Sequence, residues 1–81
     1  MSKIKVGQVY STDGGIYVVT RIWYNASSGR DWINCVDIFG ETSEYSFPFV
    51  ETYHSLIAEY PTWLEAVNSP EFRGEKKWVI Y

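Results

Sequence analysis

Turn-forming residues divide this chain into short pieces, and their spacing restricts what the chain can fold into more than any other feature. The breaks fall at 12–15, 26–29 and 40–41, and each contains glycine. Signals for a strand and then a turn recur about every ten residues, which is typical of a small all-β domain. Gly14 and Gly15 are adjacent, which suggests a tight hairpin in which glycine supplies positive φ.

The segments between these breaks predict strands at 6–11, 16–24, 32–39, 42–47 and 55–60. Pro48 cannot donate a ladder hydrogen bond, so we expect it at a strand end or a sheet edge. Apolar residues alternate through the fourth segment, and we expect Tyr45, Phe47 and Phe49 to lie on one face of that strand and to contribute to the core.

After Pro61 the apolar period changes from that of a strand to that of a helix. Thr62 with Glu65 three residues later has the spacing of a capping box. The stripe predicted to pack in the core behind this cap comprises Trp63, Ala66 and Val67. Ser69 followed by Pro70 suggests that a second helical turn begins there. The residues at 77–81 read as a terminal strand.

These patterns predict one domain over residues 1–81. We expect a mainly β (α+β) fold: a strongly bent antiparallel SH3-like sheet or barrel of five to six strands with one short C-terminal helix. A chain of 81 residues has a thin stability margin. Its 4 Trp, 7 Tyr and 4 Phe favour dense packing, association with other chains, or both.

Composition argues against several functional classes. Cys35 and His54 are the single cysteine and the single histidine, so neither an internal disulfide nor a tetrahedral zinc site is expected. We expect Cys35 to be a small core residue. No catalytic or phosphate-loop motif is present, so we expect a binding protein without a cofactor. A net charge of −3 argues against nonspecific DNA binding.

Two further features bear on location. No apolar run reaches the roughly 18 residues that a membrane span requires. The stretch MSKIKVGQVY lacks the apolar core of a secretion signal, which with the free cysteine favours the cytoplasm.

Strand two, in the segment GGIYVVTRIWYN, has an unusual second face. With a regular period of two, Tyr17, Arg21 and Trp23 lie on the same side. Aromatic rings stack on nucleobases, and guanidinium groups bind phosphates through paired hydrogen bonds. The candidate ligand-binding residues are therefore Tyr17, Arg21, Trp23, Arg30, Trp32 and Asn34, with Arg73 as a further phosphate candidate. The same composition also suits core packing or a subunit interface, and all three interpretations stay open.

Two stretches together resemble a known family. These are KIKVGQVYSTDGGIYVVTRI and LIAEYPTWLEAVNSPEF, which cover both ends and about half of the chain. Their combination resembles small early proteins of large tailed phages, and within that group the anti-CBASS sponge family. The resemblance implies a protein that binds cyclic dinucleotides such as cyclic GMP–AMP without cleaving them. It also implies a tetramer that acts in the infected bacterial host, where it keeps CBASS effectors inactive.

The resemblance assigns no individual ligand residues, so the seven candidates depend on the strand pattern alone. Two other functions fit the same aromatic face. One is a small protein-binding module that inhibits a host enzyme, and the other is an SH3-like domain that binds an extended peptide.

Overall fold

A computed structural model describes residues 4–73 of the chain. They form five strands and three short helices. In chain order these are β1 (Gln8–Thr12), β2 (Gly15–Asn25), β3 (Arg30–Asp37), β4 (Thr42–Ser46), α1 (Phe47–Tyr53), β5 (Ser55–Glu59), α2 (Trp63–Val67) and α3 (Pro70–Arg73). All strand pairings are antiparallel, in the order β4-β3-β2-β1-β5. The predicted mainly β class is confirmed, and β5 returns to β1 as an SH3-like sheet requires.

The turns between strands lie where the sequence predicts them, but glycine acts at other positions than expected. Gly14 and Gly15 have no positive φ, whereas Gly29 (φ 69°) and Gly40 (φ 83°) do. The hairpin between β1 and β2 is instead held at Thr12, whose hydroxyl oxygen accepts a hydrogen bond from Gly14 N at 3.1 Å. The assumption that paired glycines provide positive φ was therefore wrong for this turn.

The sheet buries residues on both of its faces. The α1 face carries a core of Ile4, Tyr10, Tyr17, Val19, Ile33 and Cys35, which packs against Val50 of α1. The α2–α3 face carries Val9 and Val18, which pack against Ala66 of α2 and Phe72 of α3. Each face of the sheet therefore carries a core that at least one helix covers.

A β-bulge in β2 changes which residues share a face. Val19 pairs with Cys35, but Arg21 pairs with Asn34, so Thr20 is an extra residue without a partner of its own. The extra residue shifts the alternation by one position. Tyr17 and Ile22 therefore lie on the α1 face, whereas Arg21 and Trp23 lie on the α2–α3 face. The prediction that Tyr17, Arg21 and Trp23 share one face was wrong for Tyr17.

Helix α1 was not predicted. The strand expected at 42–47 ends at Ser46, and Phe47 begins the helix, so Tyr45, Phe47 and Phe49 do not alternate along one strand. Pro48 lies in the first helical turn, where its missing N–H costs nothing and its fixed φ suits the helix. Burial of Val50 against the sheet anchors the helix.

The predicted helical turns at the C-terminal side are confirmed. The Thr62 hydroxyl accepts a hydrogen bond from Glu65 N at 3.2 Å, and the Ser69 hydroxyl accepts one from Phe72 N at 3.2 Å. Of the predicted stripe, Ala66 is buried and Val67 packs on the core, but Trp63 is 41% exposed. The helix content is larger than the single short helix expected, and the terminal strand predicted at 77–81 lies outside the described residues.

Within residues 4–73, no helix is long and apolar enough to cross a membrane.

Candidate ligand-binding face

The hairpin of β2 and β3 extends beyond the end of β1 and forms an arm. Beyond Val19, β2 pairs with β3 alone, and the facing pairs are Arg21 with Asn34, Trp23 with Trp32, and Asn25 with Arg30. Alternation from the bulge onward places one set of side chains on the α2–α3 side of this arm. We call it the arm face, and it comprises Arg21, Trp23, Arg30, Trp32 and Asn34. The sheet thus brings together five of the seven residues predicted from the sequence.

The two indoles form the centre of the arm face. The ring centroids of Trp23 and Trp32 are 5.9 Å apart and the planes are inclined by 32°. Both side chains are half-buried, and Trp32 Nε1 donates to the Ser28 hydroxyl at 3.0 Å. Cross-strand aromatic pairs of this kind stabilise neighbouring strands, and here β4 also pairs with β3 from Trp32 to Val36. The pair also places apolar ring surface at the outer end of the sheet.

Two buried polar atoms on this face have no hydrogen-bond partner. They are Nε1 of Trp23, a donor, and Oδ1 of Asn34, an acceptor. An unpaired buried group costs about 1–3 kcal/mol, and natural proteins keep few of them. The Asn34 backbone is satisfied separately, since its carbonyl oxygen accepts from the Thr20 hydroxyl at 3.2 Å. Both atoms are enclosed by the folded chain, so a ligand on the arm face reaches them only if the two side chains turn outward.

The two arginines lie at opposite ends of the arm face. The side chains of Arg21 and Arg30 are exposed, and neither guanidinium group forms a hydrogen bond or an ion pair with another residue in the described part of the chain. Asn25, which faces Arg30, is four residues along β2 from Arg21, or about 13 Å at the usual strand rise. Glu44 faces Asn34 from β4 and brings one negative charge to the same side. The arm face therefore carries two guanidinium groups without a partner among residues 4–73, and one nearby carboxylate.

Tyr17 is a core residue and not a stacking platform. It is 4% exposed, and its ring stacks between Tyr10 (centroids 5.7 Å apart) and Tyr45 (5.5 Å). Its hydroxyl lies 2.8 Å from Nδ1 of His54. Burial raises the pKa of Tyr17 well above its usual value, so the hydroxyl keeps its proton. Sequence reasoning missed His54 as its partner, because the two residues meet only when α1 turns the chain back.

Arg73 is also separate from the arm face. It ends α3, and its Nη2 lies 3.3 Å from Oδ1 of Asn68. Arg73 and Tyr17 both line a pocket of about 500 Å³ at the opposite end of the sheet, between the β1–β2 turn and the β3–β4 turn. We call this the end pocket. The two predicted residues that miss the arm face thus contribute to a different cavity.

The remaining candidates for chemical reactivity are the thiol of Cys35 and any cluster of metal-binding side chains. Cys35 is 2% exposed and its Sγ lies 3.6 Å from the carbonyl oxygen of Ser43. Burial raises the pKa of the Cys35 thiol to about 11, with a further contribution from Asp37. The prediction that Cys35 is a core residue is confirmed. Among residues 4–73, no cluster of three His, Cys, Asp or Glu side chains has the arrangement of a metal site.

No protein-family model, curated protein or solved structure matches this chain. The candidate site therefore depends on the geometry of the arm face.

Proposed function

We propose that this protein binds cyclic dinucleotide second messengers on the arm face and sequesters them without cleaving them, which blocks CBASS signalling in the infected cytoplasm. The observation that carries the proposal is the adjacency of Trp23 and Trp32 between two arginines that have no partner among the described residues. Purine rings stack on indoles, and each stacked base contributes about 1–3 kcal/mol. The resemblance of both chain ends to anti-CBASS sponges narrows the ligand class to cyclic dinucleotides.

Stacking alone does not provide the affinity that a sponge needs, so the arginines must contribute to binding. Competing with a receptor requires nanomolar binding, or about −12 kcal/mol. Two stacked bases supply about half of that at most. Arg21 and Arg30 can each form charge-assisted hydrogen bonds to a phosphate, at about 1.5–3 kcal/mol per bond. The unpaired donor of Trp23 and acceptor of Asn34 complement base edges, provided that their side chains turn outward on binding.

Calorimetry with cyclic GMP–AMP, cyclic di-AMP and cyclic di-GMP tests the proposal, with AMP as the non-cyclic reference. We expect tight binding of at least one cyclic dinucleotide and weak binding of AMP. Arg21→Ala should reduce the affinity about 10- to 100-fold, since it removes one charge-assisted contact. Lys5→Ala is the matched control, because it removes an exposed cation that lies outside the arm face. Equal losses for both variants would show that only net charge matters and would contradict a site on the arm face.

Sequestration and cleavage are separated by recovering the ligand. After heat denaturation of the complex, chromatography should return the cyclic dinucleotide unchanged. New nucleotide products that accumulate with incubation time would contradict a sponge. Sedimentation of the complex would test the tetramer that the resemblance implies.

A second candidate function is a small protein-binding module that inhibits a host enzyme. Tyr24 favours it, because its side chain is 64% exposed on the opposite side of the arm from Trp23. Aromatic side chains on both sides of a projecting hairpin suit insertion into a cleft of another protein. Under this alternative no cyclic dinucleotide would bind, and Tyr24→Ser would abolish capture of a host protein.

A further inference from the structure

Strand β4 places polar side chains beside the arm face. It pairs with β3 in an unbroken register, in which Ser46 lies opposite Trp32 and Glu44 lies opposite Asn34. Residues directly opposite each other on an antiparallel pair have their side chains on the same face of the sheet. Glu44 and Ser46 therefore lie on the side of the sheet that carries the two indoles.

Glu44 is close enough to Trp32 to contact a base that stacks there. It is the diagonal neighbour of Trp32, because it lies two residues before Ser46 on β4. Diagonal neighbours on an antiparallel pair are about 7–8 Å apart, a distance that aromatic and long side chains can span. The Glu44 side chain is exposed, and its carboxylate forms no hydrogen bond or ion pair within residues 4–73. One edge of a purine stacked on Trp32 is therefore within reach of a carboxylate that has no other contact there.

The charge of Glu44 is unfavourable for a ligand with two phosphates. Like charges brought together in an interface lower the affinity. Arg21 and Arg30 attract the phosphates, whereas Glu44 repels them. Glu44 therefore weakens binding unless it accepts hydrogen bonds from the ligand, and the donors of a cyclic dinucleotide that can offer them in pairs are on its base edges.

The chemistry of a carboxylate determines which base edge it can bind. An ionised carboxylate accepts hydrogen bonds through two oxygens and donates none. Guanine carries two adjacent donors, N1–H and N2–H, on its Watson–Crick edge, and two parallel bonds to one carboxylate are a strong and specific contact. Adenine carries an acceptor, N1, beside the N6 donor, so one carboxylate oxygen would face a lone pair. The carboxylate favours guanine and disfavours adenine.

We propose that Glu44 selects guanine, by accepting N1–H and N2–H of a guanine base that stacks on Trp32. Cyclic dinucleotides with at least one guanine then bind more tightly than cyclic di-AMP. A good bidentate contact discriminates against the wrong base by about 10- to 100-fold. This preference rests on the proposed function, since it requires a base stacked on the arm face, and it names the base and the residue that reads it.

Calorimetry with cyclic di-GMP and cyclic di-AMP, on the wild type and on Glu44→Gln, tests the preference. The wild type should bind cyclic di-GMP about 10- to 100-fold more tightly. Glu44→Gln should reduce the affinity for cyclic di-GMP about 10-fold, because a neutral amide offers one oxygen acceptor and no charge. The same variant should raise the affinity for cyclic di-AMP, because the like charge is gone and an amide can both donate to N1 and accept from N6 of adenine. Since Glu44 is exposed, the variant should fold.

Glu51→Gln is the matched control. Glu51 is exposed on α1, which covers the opposite face of the sheet, so the control removes the same charge away from the arm face. It should leave the ratio of the two affinities unchanged. Equal wild-type affinities for the two ligands, or a ratio that Glu44→Gln does not alter, would overturn guanine selection while the sponge itself stands. If no cyclic dinucleotide bound at all, the proposed function would fail and guanine selection with it.

Discussion

The hydroxyl oxygen of Tyr17 lies 2.8 Å from Nδ1 of His54, and this contact ties the start of β2 to the residue that follows α1. The imidazole ring also meets the rings of Tyr17, Tyr45 and Phe49 edge-on, at centroid distances of 5.3, 4.9 and 5.3 Å. The direction of this hydrogen bond depends on the tautomer of neutral His54: the Tyr17 O–H donates to an unprotonated Nδ1, or a protonated Nδ1 donates to the Tyr17 hydroxyl oxygen. Protonated His54 carries a proton on both ring nitrogens, so its Nδ1 can only donate.

The stability of the fold should therefore depend on the charge of His54. Burial lowers the pKa of His54 below its ordinary value of 6.5, an effect that Asp13 opposes to a smaller extent. The unfolded chain then binds the proton more readily than the folded chain. We expect the contribution of His54 to the free energy of unfolding to be complete above pH 6.5. That contribution should decrease as the pH falls through the folded-state pKa of His54. Thermal melts across this range measure the decrease.

Carboxylates also titrate as the pH falls, so the test is the difference between two proteins. His54→Gln removes the titrating group, and its Tm should decline less than that of the wild type over the same interval. Parallel curves for the two proteins would mean that His54 does not contribute. Tyr17→Phe keeps the stacked ring but deletes the hydroxyl, and should cost about 1 kcal/mol at neutral pH.

Gly7 is the position at which a side chain should do most harm. Its φ is 95°, and a Cβ built there would lie 2.3 Å from the carbonyl oxygen of Tyr60. The backbone is fixed on both sides, since Gly7 N donates to Val19 O and Tyr60 N donates to Gly7 O, each at 3.0 Å. We expect Gly7→Ala to lower the free energy of unfolding by roughly 2–4 kcal/mol, through left-handed strain and the clash with backbone.

Urea denaturation of Gly7→Ala and Gly14→Ala side by side measures this effect. A Cβ at Gly14 would meet nothing within 4 Å, so Gly14→Ala should change stability by less than about 0.5 kcal/mol. Similar midpoints for the two variants would show that the chain can move away from Tyr60, which would contradict the close approach at Gly7.

Local signals predicted the strands and the two C-terminal helical turns, because turns, caps and alternation depend on residues that are close in the sequence. The bulge at Thr20 has no such local signal. Nothing in the segment GIYVVTRIWYN marks an extra residue, and the bulge is fixed only by how β3 aligns, with Cys35 opposite Val19 and Asn34 opposite Arg21. This one residue moved Tyr17 into the core while Arg21 and Trp23 stayed on the arm face.

Helix α1 was missed for a different reason. The residues at 47–53 are rich in aromatic and β-branched side chains, which favour strands, and only Pro48 just inside the helix start pointed to a helix. The favourable packing of Val50 outweighs those preferences. The end pocket could not have been predicted either, since the β1–β2 turn, the β3–β4 turn and α3 form it together.

Cys35 should be unreactive in the folded protein. Its side chain is 2% exposed, and at a pKa of about 11 only about 0.1% of the thiol is ionised near pH 8. We expect an aromatic disulfide reagent to modify the native protein at least about a thousandfold more slowly than the urea-unfolded chain. The absorbance of the released thiolate follows the reaction. Rapid labelling under native conditions would show that the strand pair around Cys35 opens frequently.

Asn34 provides a test that links stability to binding. Because its buried Oδ1 has no partner, replacing the side chain by an apolar one of similar size should relieve a cost. We expect Asn34→Leu to raise the free energy of unfolding by about 1 kcal/mol in urea titrations, while it weakens cyclic dinucleotide binding. Such a gain in stability with a loss of binding is the signature of a polar residue kept for its ligand.

Asn68→Leu is the control for this substitution. The Asn68 side chain is satisfied, since Nδ2 donates to Leu64 O at 2.9 Å and Oδ1 accepts from Arg73 at 3.3 Å. The same change there should lower stability and leave nucleotide binding intact. If Asn34→Leu instead destabilised the protein as much as Asn68→Leu, Oδ1 of Asn34 would have a partner in solution, such as a buried water. The proposed binding site would then lose one of the two unpaired polar atoms that support it.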